Sequence, residues 1–94
     1  MMKLRDDIVL KKIDSVYALI ALKSAWEDCP FAIQIAPYAA IIWKDIKHNK
    51  KKEEIIDDLM TSKGFNREKA EKLYSCFMDA AENYHYFIED ENNG

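Results

Sequence analysis

Residues 31–46, FAIQIAPYAAIIWKDI, constrain this chain more than any other stretch: apart from the Tyr38 hydroxyl, only Gln34, Lys44 and Asp45 are polar. At helical spacing Phe31, Ile35, Tyr38, Ala39, Ile42 and Ile46 share one side, and Ile41 and Trp43 widen it. So apolar a segment in a chain of 94 residues predicts a central helix that the other elements cover. Only two Gly and two Pro accompany 49% hydrophobic residues, which argues against disorder and against a turn-rich all-β fold. The expected fold is all-α: a small four-helix bundle forming a single domain over residues 1–94, its second helix kinked at Pro37 and its third short.

Taken in order, residues 3–26 read as the first helix. Val9, Leu10, Ile13, Val16, Tyr17 and Ile20 share one face, and Leu4, Ile8, Leu19, Leu22 and Trp26 lie opposite. Pro30 suits a first helical position, whereas Pro37 inside a helix removes a hydrogen bond and clashes with the carbonyl of Ile33. The lysine-rich run 44–52 is favoured where a helix closes, so a break is expected at 48–51. A single helix over 38–62 is the competing reading, because neither Gly nor Pro interrupts that span. Residues 53–62 predict a short helix with Ile55, Ile56, Leu59 and Met60 inward, ended by Gly64, and Asn66 predicts the next N-cap. The last helix is expected over 67–88, burying Ala70, Leu73, Tyr74, Phe77, Ala80, Ala81, Tyr84 and Ile88. Tyr86 projects from its wet face, and 89–94 form a frayed acidic tail.

Composition narrows function only slightly. A net charge of −3 implies no partner by itself. Cys29 and Cys76 lack a metal-ligand or CxxC spacing and read as free thiols. Asp6, Asp7, Lys11 and Lys12 interrupt any signal-like apolar run, and no stretch is long enough to span a bilayer, so a cytoplasmic protein is expected. Twelve lysines against two arginines, with abundant Ile, suit an AT-rich bacterial or phage genome.

Three constellations compete with structural readings. Glu53, Glu54, Asp57 and Asp58, with Asp79 and Glu82 later in the chain, resemble the EExxE and ExxD motifs of MazG-like all-α nucleotide pyrophosphohydrolases. Asp57 stands where Glu is expected, and the second pair is reversed. The resemblance implies Mg²⁺ held by clustered carboxylates; the competing reading is a solvated acidic face. Residues 55–77 also allow a helix-turn-helix with Arg67, Lys69 and Lys72 toward DNA, but Glu68 and Glu71 put repulsive charge on the same face. Lys44, Lys47, Lys50, Lys51 and Lys52 form a patch for an acidic partner or simply a solvated helix end.

No nucleophile–base pair, glycine-rich phosphate loop or ligand cluster appears, so no cofactor is expected. The favoured reading is a non-enzymatic protein–protein interaction module, an adaptor, inhibitor or immunity-type protein. The hydrolase is the alternative, and a DNA-binding regulator comes third. Leu4, Ile8, Leu19, Leu22, Trp26 and Tyr86 are the expected partner-binding residues, toward another protein or a second copy in a homodimer.

Overall fold

A computed structural model describes residues 2–89; of the expected frayed tail at 89–94, Glu89 is instead the last residue of a strand and 90–94 lie outside the described residues. The chain is mixed α/β, which overturns the all-α four-helix bundle. In order come β1 (Met2–Leu4), β2 (Ile8–Ile13), β3 (Val16–Ala21), a 3-10 turn (Lys23–Ala25) and β4 (Ala32–Ile35). Then follow α1 (Pro37–Lys47), α2 (Lys52–Lys63), α3 (Arg67–Asn83) and β5 (Phe87–Glu89). The strands make two antiparallel sheets among the described residues, β2-β3-β4 and β1-β5.

The largest correction falls on residues 3–26, expected as a helix. Ile8, Val9, Ile13, Val16, Tyr17 and Ile20 are β-branched or aromatic and fit a pleated sheet better than a helix. Asp14 and Ser15 turn the chain between paired Ile13 and Val16, with Asp14 in the left-handed region at φ 57°, which Asp tolerates. Cross-strand partners Ile8 and Ala21, Leu10 and Leu19 then share the inner face; Val9 and Ile20, Lys11 and Ala18 share the outer one. The two apolar stripes of the expected helix are thus redistributed between two faces of a sheet.

A second correction concerns Pro37. It kinks no helix: it is the first residue of α1, where its missing N–H is harmless, and the residues before it form β4. Only the second half of the apolar stretch 31–46 is therefore helical. The break at 48–51 is present, with Asn49 at φ 62° and the Lys50 N–H donating to the Asp45 carbonyl at 3.0 Å.

Local signals account for the following helices. The Lys51 N–H donates to the Glu54 carboxylate at 2.9 Å at the start of α2, and Gly64 closes it at φ 70°. The Asn66 side-chain oxygen accepts from the Lys69 N–H at 2.8 Å to cap α3. The last helix stops at Asn83 instead of 88, because His85 adopts φ 63° and the Tyr86 N–H returns to the Ala81 carbonyl at 2.9 Å. The released chain forms β5 and pairs with β1, setting Leu4 opposite Phe87. Tyr86, expected in solvent, is instead buried.

The core lies between the inner sheet face and the helices. Ile8, Leu19 and Ala21 meet Ile42 and Trp43 of α1, Ile55, Ile56 and Leu59 of α2, and Ala70, Phe77 and Ala81 of α3. Arg5 ties the N-terminal segment to this body: its guanidinium donates to Asp7 at 2.9 and 3.0 Å and to Asp28 at 3.3 Å. The hydrogen bonds from Arg5, and a further one from Ser24, hold the Asp7 carboxyl down at about 2 despite partial burial.

Candidate functional site

Among the described residues the three-stranded sheet ends at β4 on one side and β2 on the other. These edges differ in chemistry. β2 carries Lys11 and Lys12, the kind of charge that discourages strand addition, whereas β4 reads Ala32-Ile33-Gln34-Ile35 with no charge at all. Its pairing with β3 continues past Ala32, since the Ala21 N–H donates to the Phe31 carbonyl at 2.9 Å. In an antiparallel ladder residues 31, 33 and 35 therefore turn their backbone groups toward β3. Ala32 and Gln34 turn theirs to the open edge.

Beside this edge runs a groove of about 270 Å³, walled by Ile33 and Ile35 of β4, by Cys76 and Ala80 of α3 and by Tyr84 just past its end. Leu19, Gln34, Phe77 and Tyr86 also line it, as do Tyr38 and Ala39 at the start of α1. Cys76, Ala80 and Tyr84 recur every four residues and so present one stripe to the groove. Small side chains at 76 and 80 leave the space, and the sheet pleat turns the Ile33 and Ile35 side chains into it. Burial pushes the Tyr38 phenol above its ordinary range. Among the described residues no charged side chain lines the groove. Its volume is below the roughly 300–1,000 Å³ of small-molecule pockets and suits a few side chains better than a whole compact ligand.

The residues expected to bind a partner are dispersed. Leu4, Ile8 and Leu19 are core residues, and Tyr86 is 2% exposed with its ring against Trp43 at 5.6 Å. Leu22 and Trp26 are exposed, at 48% and 51%. Trp26 is held in place by an indole N–H donated to the Ala21 carbonyl at 2.9 Å, and its ring meets Phe31 at 5.4 Å.

The lysine patch is engaged internally. Lys44 lies over the Tyr17 ring and Lys52 over the Tyr74 ring, both at 5.6 Å. Lys47 donates to the Arg5 carbonyl at 2.8 Å, and Lys50 pairs with Asp58 at 2.8 Å. Lys51 occupies the N-cap of α2.

The carboxylates of the hydrolase reading do not converge. Glu53 pairs with Arg67, Asp58 with Lys50, and Glu54 caps α2. Asp57, Asp79 and Glu82 are exposed. Among the described residues no three His, Cys, Asp or Glu side chains are placed to hold a metal ion. A clearly perturbed carboxyl lies outside the exposed set: burial first, then the neighbouring Asp58, raises Asp45 to about 6. Among the same residues no helix is long and apolar enough to cross a membrane.

Sequence reasoning missed the groove because it placed β4 inside a helix. Two signals were present: the alternation Ala32-Ile33-Gln34-Ile35 ahead of Pro37, and small residues at 76 and 80 on a stripe that otherwise reads as buried.

No protein-family model matches the chain, and no curated protein does. Among solved structures the chain resembles one described as TbiB1 in complex with the TbiA(beta) leader peptide. The TM-score is 0.71 at 22% identity, over 94% of this chain and 99% of that one, and the likeness is one of fold.

Proposed function

We infer that this protein binds an extended segment of another polypeptide, which adds as a further strand to the open edge of β4 and sends alternate side chains into the groove. The observation that carries the reading is the uncharged edge of Ala32–Ile35, unpaired among the described residues and lying directly beside an apolar groove. In such strand addition the main-chain hydrogen bonds supply affinity, and pockets for alternate side chains supply specificity. Ala32 and Gln34 offer their N–H and C=O groups outward, each bond contributing about 1 kcal/mol net. A fold shared with a protein solved around a leader peptide supports the same reading.

The test uses a peptide enriched from a random 12-residue display library panned against the full chain. Binding should slow hydrogen exchange at the Ala32 and Gln34 amides, which face the open edge. Gln34→Pro deletes one outward N–H and sets a ring where the added strand would lie, at a position where edge strands tolerate Pro, and should abolish binding while leaving the melting temperature nearly unchanged. Peptide binding that leaves both amides unprotected and survives Gln34→Pro sinks the reading.

A further inference from the structure

We propose that the exposed Trp26–Phe31 pair is a third side-chain subsite of the β4 edge, so that the peptide it takes carries apolar residues at positions i, i+2 and i+4. This assignment rests on β4 accepting an extended peptide, and it goes further by stating that peptide's length and pattern.

Phe31 is 65% exposed and Trp26 51%, the two most exposed aromatic rings among the described residues. They touch each other at 5.4 Å with planes tilted by 57°. The shelf is built: the indole N–H is donated to the Ala21 carbonyl, and the Ala21 N–H is donated to the Phe31 carbonyl, both at 2.9 Å. One residue of β3 therefore anchors both aromatic residues in a fixed relation to the sheet.

Continuity with the groove names the occupant. Phe31 immediately precedes β4, and its ladder bond to Ala21 extends the β3–β4 pairing past the last paired residue, Ala32. Its parity matches Ile33 and Ile35, whose side chains line the groove. A strand laid along β4 turns every second side chain to that side, so three consecutive same-side residues meet Ile35, Ile33 and Phe31 in turn. The span is roughly 13 Å, four steps of about 3.3 Å. Large aromatic rings in a fixed position are the side chains that most often anchor interfaces. Leu22, 48% exposed, lies one residue beyond Ala21 and extends the apolar surface. The neighbouring charges, Lys23, Glu27 and Asp28, are of mixed sign and select no charged ligand.

The experiment is a double-mutant cycle by titration calorimetry, using the display-selected 12-residue peptide and the full chain. Phe31→Ala should weaken binding at least tenfold with an unchanged circular dichroism spectrum. A peptide with its third same-side apolar residue replaced by Ala should bind wild type and Phe31→Ala equally. Trp26→Ala should reproduce the loss.

Affinity unchanged by Phe31→Ala, while Gln34→Pro still abolishes binding, overturns the subsite and leaves the strand-addition reading standing. Binding insensitive to Gln34→Pro as well, or a library that yields no peptide, overturns both. A change in sedimentation of the free protein on Phe31→Ala, with peptide affinity intact, assigns the shelf to a second copy of the chain and overturns the proposal.

Discussion

Replacing Tyr86 by Phe should stabilise this protein, although Tyr86 is one of its most buried side chains. The ring is 2% exposed, meets Trp43 edge-on at 87° and Tyr84 at 5.8 Å, and its hydroxyl has no hydrogen-bond partner among the described residues. A buried, unsatisfied hydroxyl costs about 1–3 kcal/mol. Deleting one oxygen leaves a void smaller than a water molecule, which at about 24 cal/mol per Å³ costs under roughly 0.5 kcal/mol. The net gain is about 1–2 kcal/mol, or roughly 4–8 °C per kcal/mol in Tm for a domain of this size.

A second signature comes from alkali. Burial pushes the Tyr86 phenol up to about 12, from a usual value near 10. Because the folded state holds this proton more tightly, the associated stability is present below pH 10 and lost as pH rises through about 12. Urea unfolding followed by tryptophan fluorescence, at pH 7 and from pH 9 to 11, measures both effects. The Phe variant should be more stable at pH 7 and lose less stability with rising pH. A variant at least 1 kcal/mol less stable than wild type refutes the reasoning, because the hydroxyl must then be hydrogen-bonded, for instance to a buried water.

Asp45 supplies an independent pH test. Burial, then the nearby Asp58 carboxylate, raises it to about 6, with Lys50 at 3.6 Å opposing. The folded state therefore binds this proton more tightly; the contribution is present below about pH 4 and lost as pH rises through 6. Asp45→Asn should flatten the pH dependence of urea unfolding between 4 and 6 and stabilise the protein at pH 7 by roughly 1–3 kcal/mol; an unaltered slope counts against it. Trp43, 3% exposed, should cost about 3–5 kcal/mol on truncation to Ala, against about 1 kcal/mol for the exposed Trp26. Equal losses at the two sites would show that the exposure pattern is misplaced.

Legibility in the sequence divides by range of interaction. Gly64 and Asn66 were readable as caps, and the break at 48–51 as the end of a helix, because each depends on backbone groups within a turn of the residue concerned. Residues 8–21 were not readable as a helix or a sheet from periodicity alone. Apolar side chains occur at both strand parities, since the outer face bearing Val9, Ala18 and Ile20 is itself half covered, and such a pattern also satisfies a helix that is apolar all round. The better guide was β-branching, together with two such runs separated by the two residues Asp14 and Ser15. Of the groove, the α3 stripe was visible but misassigned to the core, and β4 was hidden inside an apparent helix.

By itself, then, the sequence determined three helical stretches within 37–83, the glycine that closes α2 and the asparagine that starts α3. Tertiary structure alone decided that residues 2–4, 8–13, 16–21 and 32–35 become strands and that His85 ends α3 early so that β5 can reach β1. It also decided that β4 keeps an open edge beside α3. Caps are written in neighbouring residues. Strand pairing joins positions such as Leu4 and Phe87, whose contact no local pattern encodes and whose hydrogen bonds exist only once the chain has closed on itself.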